Sequence, residues 1–531
     1  MLTILLSLAV AAQEPGIRSL MPHDRNAPGC ALDVRRDGKI IASSATGAAN
    51  LEDGTSIGPE TVFEIGSVSK QFIGAGLAIL ADRGRLSTDD PISKWLPELP
   101  PLYRDVTISM LAHHTSGIRS WNNLAELSGV GEDSTGYDNK WVLRAVSLQR
   151  RLNNTPGTEY LYSNSNFVLA AIIIERASGQ RLNQFFHDAL FARLGMTRTR
   201  WRTDFREVVP GRAQAYAPDA RGGWRLDIPF NDVAGAGGLL STVGDLQRWN
   251  AMLAKPTTGD RSWVAMLERA GRLSDGTTLR YGMGLQIDPV SDIAAFSHAG
   301  STASYRAWLG RVPTERLSIA LLCNSGAVNT EDLGLEVAAL FLPTSVQGPL
   351  QSPSPVPVSV PETLAGRYRN VANDASVEAD VDANGLHLNG GAGFGLDSAG
   401  RLATADGRRT ITVKRNGNNK LTSLSVTRLG NSLTVLVPVR AWQPSGSELR
   451  QLVGRYATPE IMGVQHIEMI GEELIWRDPS GAMHRLAPAY RDAFEAPGTG
   501  WTLRFRRARN GALSAVDFSI TRARKITMFR G

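Results

Sequence analysis

The chain has 531 residues, 42% hydrophobic and 20% charged, with a net charge of +6. That length exceeds a single core and points to about three domains, and the balance is that of an ordinary soluble globular protein. The basic residues form no dense block and no nucleic-acid recognition motif accompanies them, so nucleic-acid binding is not expected. Arg504, Arg506, Arg507, Arg509, Arg522, Arg524 and Lys525 gather near the C-terminus. Arg504-Phe505-Arg506 alternates there as the solvated face of a strand does.

In chain order, Leu2 to Ala12 is a short apolar run with small residues at Ala9 and Ala11. It is well under the ~20 residues needed to span a bilayer and suits signal-peptidase cleavage. Residues 1–12 are therefore expected to be a signal peptide of a periplasmic or secreted protein without stable membrane insertion. The missing basic n-region keeps a cytoplasmic location as the alternative. Cys30 and Cys323 cannot build a disulfide framework. Leu317 to Cys323 reads as a buried strand, and neither thiol looks catalytic.

Residues 17–345 mix strand patterns with long amphipathic helices. Residues 346–362 read as an extended linker containing Pro349, Pro353, Pro355, Pro357 and Pro361. Beyond it, short alternating runs are broken by Asn384-Gly385 and Asn510-Gly511, hairpin signals. Leu364-Ala-Gly-Arg-Tyr368 recurs as Leu452-Val-Gly-Arg-Tyr456. This repeat predicts two successive small antiparallel barrels, 363–445 and 450–531.

Three elements carry chemistry. In Gly66-Ser67-Val-Ser-Lys70-Gln-Phe72, ahead of a helical pattern ending near Gly84, Ser67 and Lys70 share one helix face. A serine hydroxyl needs a base within reach, and lysine serves if burial lowers its pKa. Alone, Ser-x-x-Lys is expected about once by chance in a chain this long. In Tyr162-Ser-Asn164, just before the apolar run from Phe167 to Ala177, Tyr162 could relay a proton and Asn164 could hold Lys70 and a substrate carbonyl. The bland alternative is a helix cap with an aromatic staple. In Ser297-His298-Ala-Gly300-Ser301, ending an apolar run, a strand could present the Ser301 N–H as second oxyanion donor beside that of Ser67. His298 would then supply a polar or cationic group orienting Tyr162. No ligand cluster or phosphate loop is present, so neither metal nor cofactor is expected.

In this order and together, the three elements resemble the serine β-lactamase/penicillin-binding superfamily on its class C-like branch (peptidase family S12). His298-Ala-Gly300 stands where many relatives have Lys-Thr-Gly. Leu111-x-x-His114-Thr-Ser116-Gly117 and Gly237-Gly238-Leu-x-Ser241-Thr242-x-x-Asp245 agree with it and read as fold-determining turns and caps. The resemblance implies an α/β (α+β) catalytic domain, a sheet covered by helices, followed by two lipocalin-like barrels. Within it, the whole chain is similar to a D-stereospecific aminopeptidase group. There a loop of the last barrel, here near 488–500, brings an acid to the substrate amine. Glu495 is the first match and Asp492 the second, and Gly300 is a further expected substrate-binding residue. The implied substrate is a small peptide or amide with a free D-amino terminus, cleaved through an acyl-enzyme. A DD-peptidase or esterase, or a non-catalytic cell-wall binder, stands as the alternative. The oligomeric state is open, a homodimer included.

Overall fold

Five runs of mostly apolar residues form one antiparallel sheet: β1 (Cys30–Arg36), β2 (Lys39–Thr46), β3 (Phe296–Thr302), β4 (Tyr305–Val312) and β5 (Leu317–Cys323), in the order β3-β4-β5-β1-β2. Asp37 and Gly38, both at positive φ, close the β1–β2 hairpin, as a two-residue type I′ turn requires. Central β5 is almost wholly buried, in keeping with its unbroken apolar run, while edge strand β2 is largely exposed. Cys30 and Cys323 face each other across β1 and β5, both fully buried, and form a disulfide, a pairing beyond what the sequence analysis assigned.

The computed structural model describes residues 16–17, 19–129, 136–290, 293–343, 360–396, 401–404, 409–428 and 432–531. The expected signal peptide and residues 346–359 of the expected linker lie outside these.

Two helices run through the interior: α1 (Ser69–Asp82) and α2 (Asn164–Ser178) pack against each other and bury most of their residues. Such all-round burial follows from apolar residues on every face. Gly84 and Gly179, both in the left-handed region, end them. α3 (Val243–Ala254) packs on β1 and β5, and α4 (Thr330–Phe341) on β4 and β5. Thr242 caps α3 by accepting from the Asp245 N–H, so the Ser241-Thr242-x-x-Asp245 run is a cap.

The β-rich remainder forms two units. Eight strands from Gly366–Asn370 to Ser432–Pro438 close into a barrel. Nine strands from Gly454–Ala457 to Ala523–Arg530 make a second, nearly closed one, whose edge strands Met483–Arg485 and Ala487–Tyr490 are consecutive in the chain. The repeated pentapeptide has one local purpose. Buried Tyr368 donates to the Leu364 carbonyl and buried Tyr456 to the Leu452 carbonyl, each at 2.7 Å. Among the described residues, no helix is long and apolar enough to cross a membrane.

Candidate active site

The strand Phe63–Glu64 leads into a tight turn at Gly66 (φ +50), one 3₁₀ turn over Gly66–Val68, and then α1. Ser67 thus sits in the lead-in turn, while Lys70 lies in the helix itself. A Cβ on Gly66 would come within 2.6 Å of the Ser301 nitrogen, and one on Gly300 within 2.1 Å of the Ile65 carbonyl oxygen. Only glycines allow this approach of backbone to backbone. It sets the Ser67 turn directly beside β3 and its Ser301 N–H.

Lys70 is fully buried, with Nζ 2.9 Å from Ser67 Oγ and donating at 2.8 Å to the Ala236 carbonyl. Burial first, and the nearby Arg522 guanidinium second, hold its pKa well below the usual lysine range. The Tyr162 hydroxyl shares a hydrogen bond with Ser67. Burial pushes its pKa up to about 12, opposed by that hydrogen bond and by Arg522. The favoured pair is therefore a neutral amine and a protonated phenol, both beside one hydroxyl.

The loop that carries Tyr162 is braced from beneath by the His114-Thr-Ser116-Gly117 turn. His114 accepts from the Ser163 N–H and from the Asn166 amide through Nδ1, both at 3.2 Å, and its ring packs 4.2 Å from that of Tyr162. Ser116 donates to Asn166 Oδ1 at 2.7 Å. Burial, followed by the charge of Lys70, holds His114 well below its ordinary pKa, so it is a neutral brace.

His298 departs from its expected role. Its Nδ1 faces the Ala299 carbonyl at 2.6 Å and so carries the hydrogen, leaving Nε2 to accept from the Tyr281 hydroxyl at 2.9 Å. Burial drops its pKa to about 3. It is neither cationic nor bonded to Tyr162, whose ring centre lies 6.3 Å away. Asn164 differs too: its Nδ2 donates to Asn122 Oδ1 at 2.8 Å, its N–H donates to Ser120 Oγ, and Oδ1 is buried without a hydrogen-bond partner. The Ala236 carbonyl, not Asn164, accepts the hydrogen bond that Lys70 donates.

Ser67, Tyr162, Asn164, His298, Gly300 and Ser301 line one cleft of about 1280 Å³, with Lys70 on its floor. Glu495 and Asp492 are not among its lining residues. Glu495 accepts from the Ser376 N–H of the first barrel at 2.9 Å, and Asp492 pairs with Arg507 at 2.9 Å. The expected loop near 488–500 is instead two short turns, 491–492 and 497–500, on either side of the strand Ala493–Ala496, which pairs with Ala487–Tyr490 and Trp501–Arg507. The last barrel does reach the cleft, but through the turn Thr521-Arg522 between its final two strands. Arg522 lies 4.7 Å from the Tyr162 ring centre and brings a cation where an acid was expected. Tyr281 and Arg522 are the residues that sequence reasoning missed. Arg522 is one of several basic residues near the C-terminus with nothing in the sequence to single it out, and Tyr281-Gly-Met-Gly carries no spacing that ties it to His298. Among the described residues, no cluster of side chains is arranged to hold a metal.

The family model described as Beta-lactamase matches residues 16–341. Over 96% of its length the chain is 26% identical to a D-aminopeptidase of Cereibacter sphaeroides, covering 97% of that relative. A penicillin-binding protein homologue of Pyrococcus abyssi, described as octameric, superposes with a TM-score of 0.54 at 21% identity, over 82% of this chain and 100% of that one. A D-amino acid amidase of Ochrobactrum anthropi gives 0.51 at 21% identity, over 63% and 98%. The two solved structures share the fold, and the family match spans the whole cleft-bearing domain except the Arg522 turn. The chain is a serine hydrolase belonging to the beta-lactamase family.

Proposed function

We propose that the chain hydrolyses amide bonds through an acyl-enzyme on Ser67 and releases N-terminal D-residues from small peptides or amides. The observation that carries the chemistry is the buried Lys70 amine, held between Ser67 Oγ and the Ala236 carbonyl with no carboxylate among the described residues hydrogen-bonded to it. A neutral amine that donates one hydrogen to Ala236 keeps a lone pair to accept the Ser67 proton as Oγ attacks the carbonyl. The backbone N–H groups of Ser67 and Ser301 receive the oxyanion. Tyr162, a phenol at neutral pH, hands its proton to the departing amine and regains one from Lys70. Water then attacks the ester by the reverse relay: its proton passes through the same groups and Ser67 leaves with its hydroxyl restored.

Support for the D-aminopeptidase reading comes from relatives of that name aligned along nearly the whole chain, both barrels included. A second reading, cleavage before a residue with a free carboxylate as in a DD-peptidase, is favoured by one observation. The exposed guanidinium of Arg522 faces the cleft, and none of the ion pairs among the described residues involves it. The buried Cys30–Cys323 disulfide supports an oxidising compartment, in line with the expected export.

A hydrolysis panel tests the proposal: D-Ala-p-nitroanilide, its L-isomer, the N-acetylated D-isomer, D-Ala-D-Ala and nitrocefin. The expected result is a preference for the D-amide over the L-isomer on the order of 10²-fold, lost on N-acetylation. Equal turnover of the acetylated substrate contradicts the aminopeptidase reading, and turnover of the dipeptide alone favours the second.

A further inference from the structure

The turn that carries Arg522 is built into the catalytic domain rather than resting on it. The Arg522 carbonyl accepts from the Ser120 N–H and from the Asn153 amide, each at 3.0 Å, and Asn153 accepts in turn from the Arg524 N–H at 2.8 Å. Arg524 grips Glu159 with two bonds of 2.8 and 2.9 Å. Buried Arg119 pairs with buried Glu460 at 2.7 Å and donates to the carbonyls of Arg524 and Lys525. Ser120, which receives the Asn164 N–H on its hydroxyl, donates its own N–H to Arg522. The backbone of the barrel turn is thus tied to the loop that carries Tyr162 and Asn164.

Two basic groups lie against the Tyr162 ring: Lys70 Nζ at 4.8 Å from its centre and the Arg522 guanidinium at 4.7 Å. A cation over an aromatic face is held by the ring quadrupole, while two like charges so close disfavour each other's charged form. We propose that Arg522, contributed by the last barrel, is a positioning residue of the hydrolytic site: it packs the Tyr162 ring toward Ser67 and, by its charge, keeps the Lys70 amine free to take the serine proton. This rests on the Ser67 reading above and gives the barrel a part in the chemistry.

The groups facing Lys70 from the other packed elements do not counter that charge. His298 from β3 and His114 from its turn are neutral, and Tyr162 and Tyr281 are protonated phenols. Glu64 is turned to Arg202 and to the Gly238 N–H, and Glu159 to Arg524. The Arg522 guanidinium is thus the cation set against a lysine otherwise surrounded by neutral groups. Its charge favours the neutral amine and, to a lesser degree than the serine hydrogen bond, an easier release of the Tyr162 proton.

The test is the pH dependence of Ser67 phosphonylation by a fluorophosphonate probe, which reads serine activation without a chosen substrate. It uses the full chain as wild type, Arg522→Gln and Arg522→Lys. The acid limb of this profile reports the base. In Arg522→Gln that limb moves up on the order of 0.5–1 pH unit, because the amine then holds its proton to higher pH. Arg522→Lys, which restores the charge, keeps the wild-type limb. The side chain is exposed and the interdomain bonds are made by the backbone, so both variants keep the docked barrel, checked by an unchanged Tm. An unmoved limb in Arg522→Gln overturns the inference, whether or not the labelling rate falls, since a fall alone reports lost packing. If Ser67 is labelled at no pH in the wild type, the nucleophile assignment fails and this inference with it.

Discussion

In both barrels a buried tyrosine, Tyr368 in the first and Tyr456 in the second, ties strand and lead-in together through a carbonyl four residues back. From that shared start the two diverge. The first barrel closes on itself, and among the described residues its core is filled by its own strands and by Val360 and Leu364 just ahead of them, with Leu386, Phe394, Leu424 and Leu436 at the centre. The second leaves its sheet open and fills its core partly with Leu124 and Leu127 from the catalytic-domain helix Trp121–Leu127. Trp501 of the second barrel donates to Glu126 of that helix, and Gln465 to the Leu127 carbonyl. The pattern that starts a barrel therefore does not decide its use. What decides it is whether the apolar interior is completed within the unit or by a neighbour.

Several substitutions sharpen this contrast. The largest expected effect is at Arg119→Ala, which strands buried Glu460 without its partner. Losing one member of a buried pair costs about 3–5 kcal/mol, seen as a lower urea midpoint together with lost hydrolysis, because the Arg522 turn is held by the same contacts. Activity that survives complete loss of the second barrel's folding transition would show that this barrel is an appendage.

Acid is the next lever, and it acts on the catalytic domain. His298 has a folded pKa of about 3, and His114 is held well below its ordinary value, both chiefly by burial. The unfolded chain takes up these protons at about pH 6.5 while the folded chain does not, so stability falls as pH drops below that value. The slope is about 1.4 kcal/mol per pH unit for each histidine, and for His298 it ends near pH 3. Denaturation midpoints from pH 7 to 4 measure it, and His298→Gln removes its share. His387 of the first barrel shifts the other way, raised by the Gly391 carbonyl with Asp382 helping. Its small stabilising share is present at low pH and is lost as pH rises through its folded pKa.

The smallest effect is at Glu495→Gln. It weakens one hydrogen bond to the Ser376 N–H between the barrels, worth about 0.5–1.5 kcal/mol. The D-over-L preference is expected to stay as in the wild type. A changed preference would return this acid to the substrate.

Much of the architecture is legible because it rests on local rules. Ser-x-x-Lys before a helix and Tyr162-Ser-Asn164 before α2 both mark element boundaries, where spacing translates into geometry. The Asn-Gly hairpins and the Gly-Arg-Tyr repeat are local in the same sense. The polar partners across the fold are not legible this way. The Ala236 carbonyl has no side-chain signature, Tyr281 meets His298 only through tertiary folding, and Arg522 reaches Tyr162 across a domain boundary. Glu495 matches the expected acid only by analogy, and it lies within the strand Ala493–Ala496 rather than in a turn. Which turn meets the cleft is decided by how the nine-stranded sheet docks on the catalytic domain, through contacts such as Arg119–Glu460 and Trp501–Glu126 that join residues hundreds of positions apart.

The central claim is that Ser67, with a neutral Lys70 and a protonated Tyr162 beside it, forms a covalent acyl intermediate. Acid-quench mass spectrometry of the enzyme mixed with a D-alanine p-nitrophenyl ester tests this most directly. The account predicts one acyl group on the peptide that contains Ser67, formed at neutral pH and absent in Ser67→Ala. An acyl group on another residue, or turnover undiminished in Ser67→Ala, would contradict it.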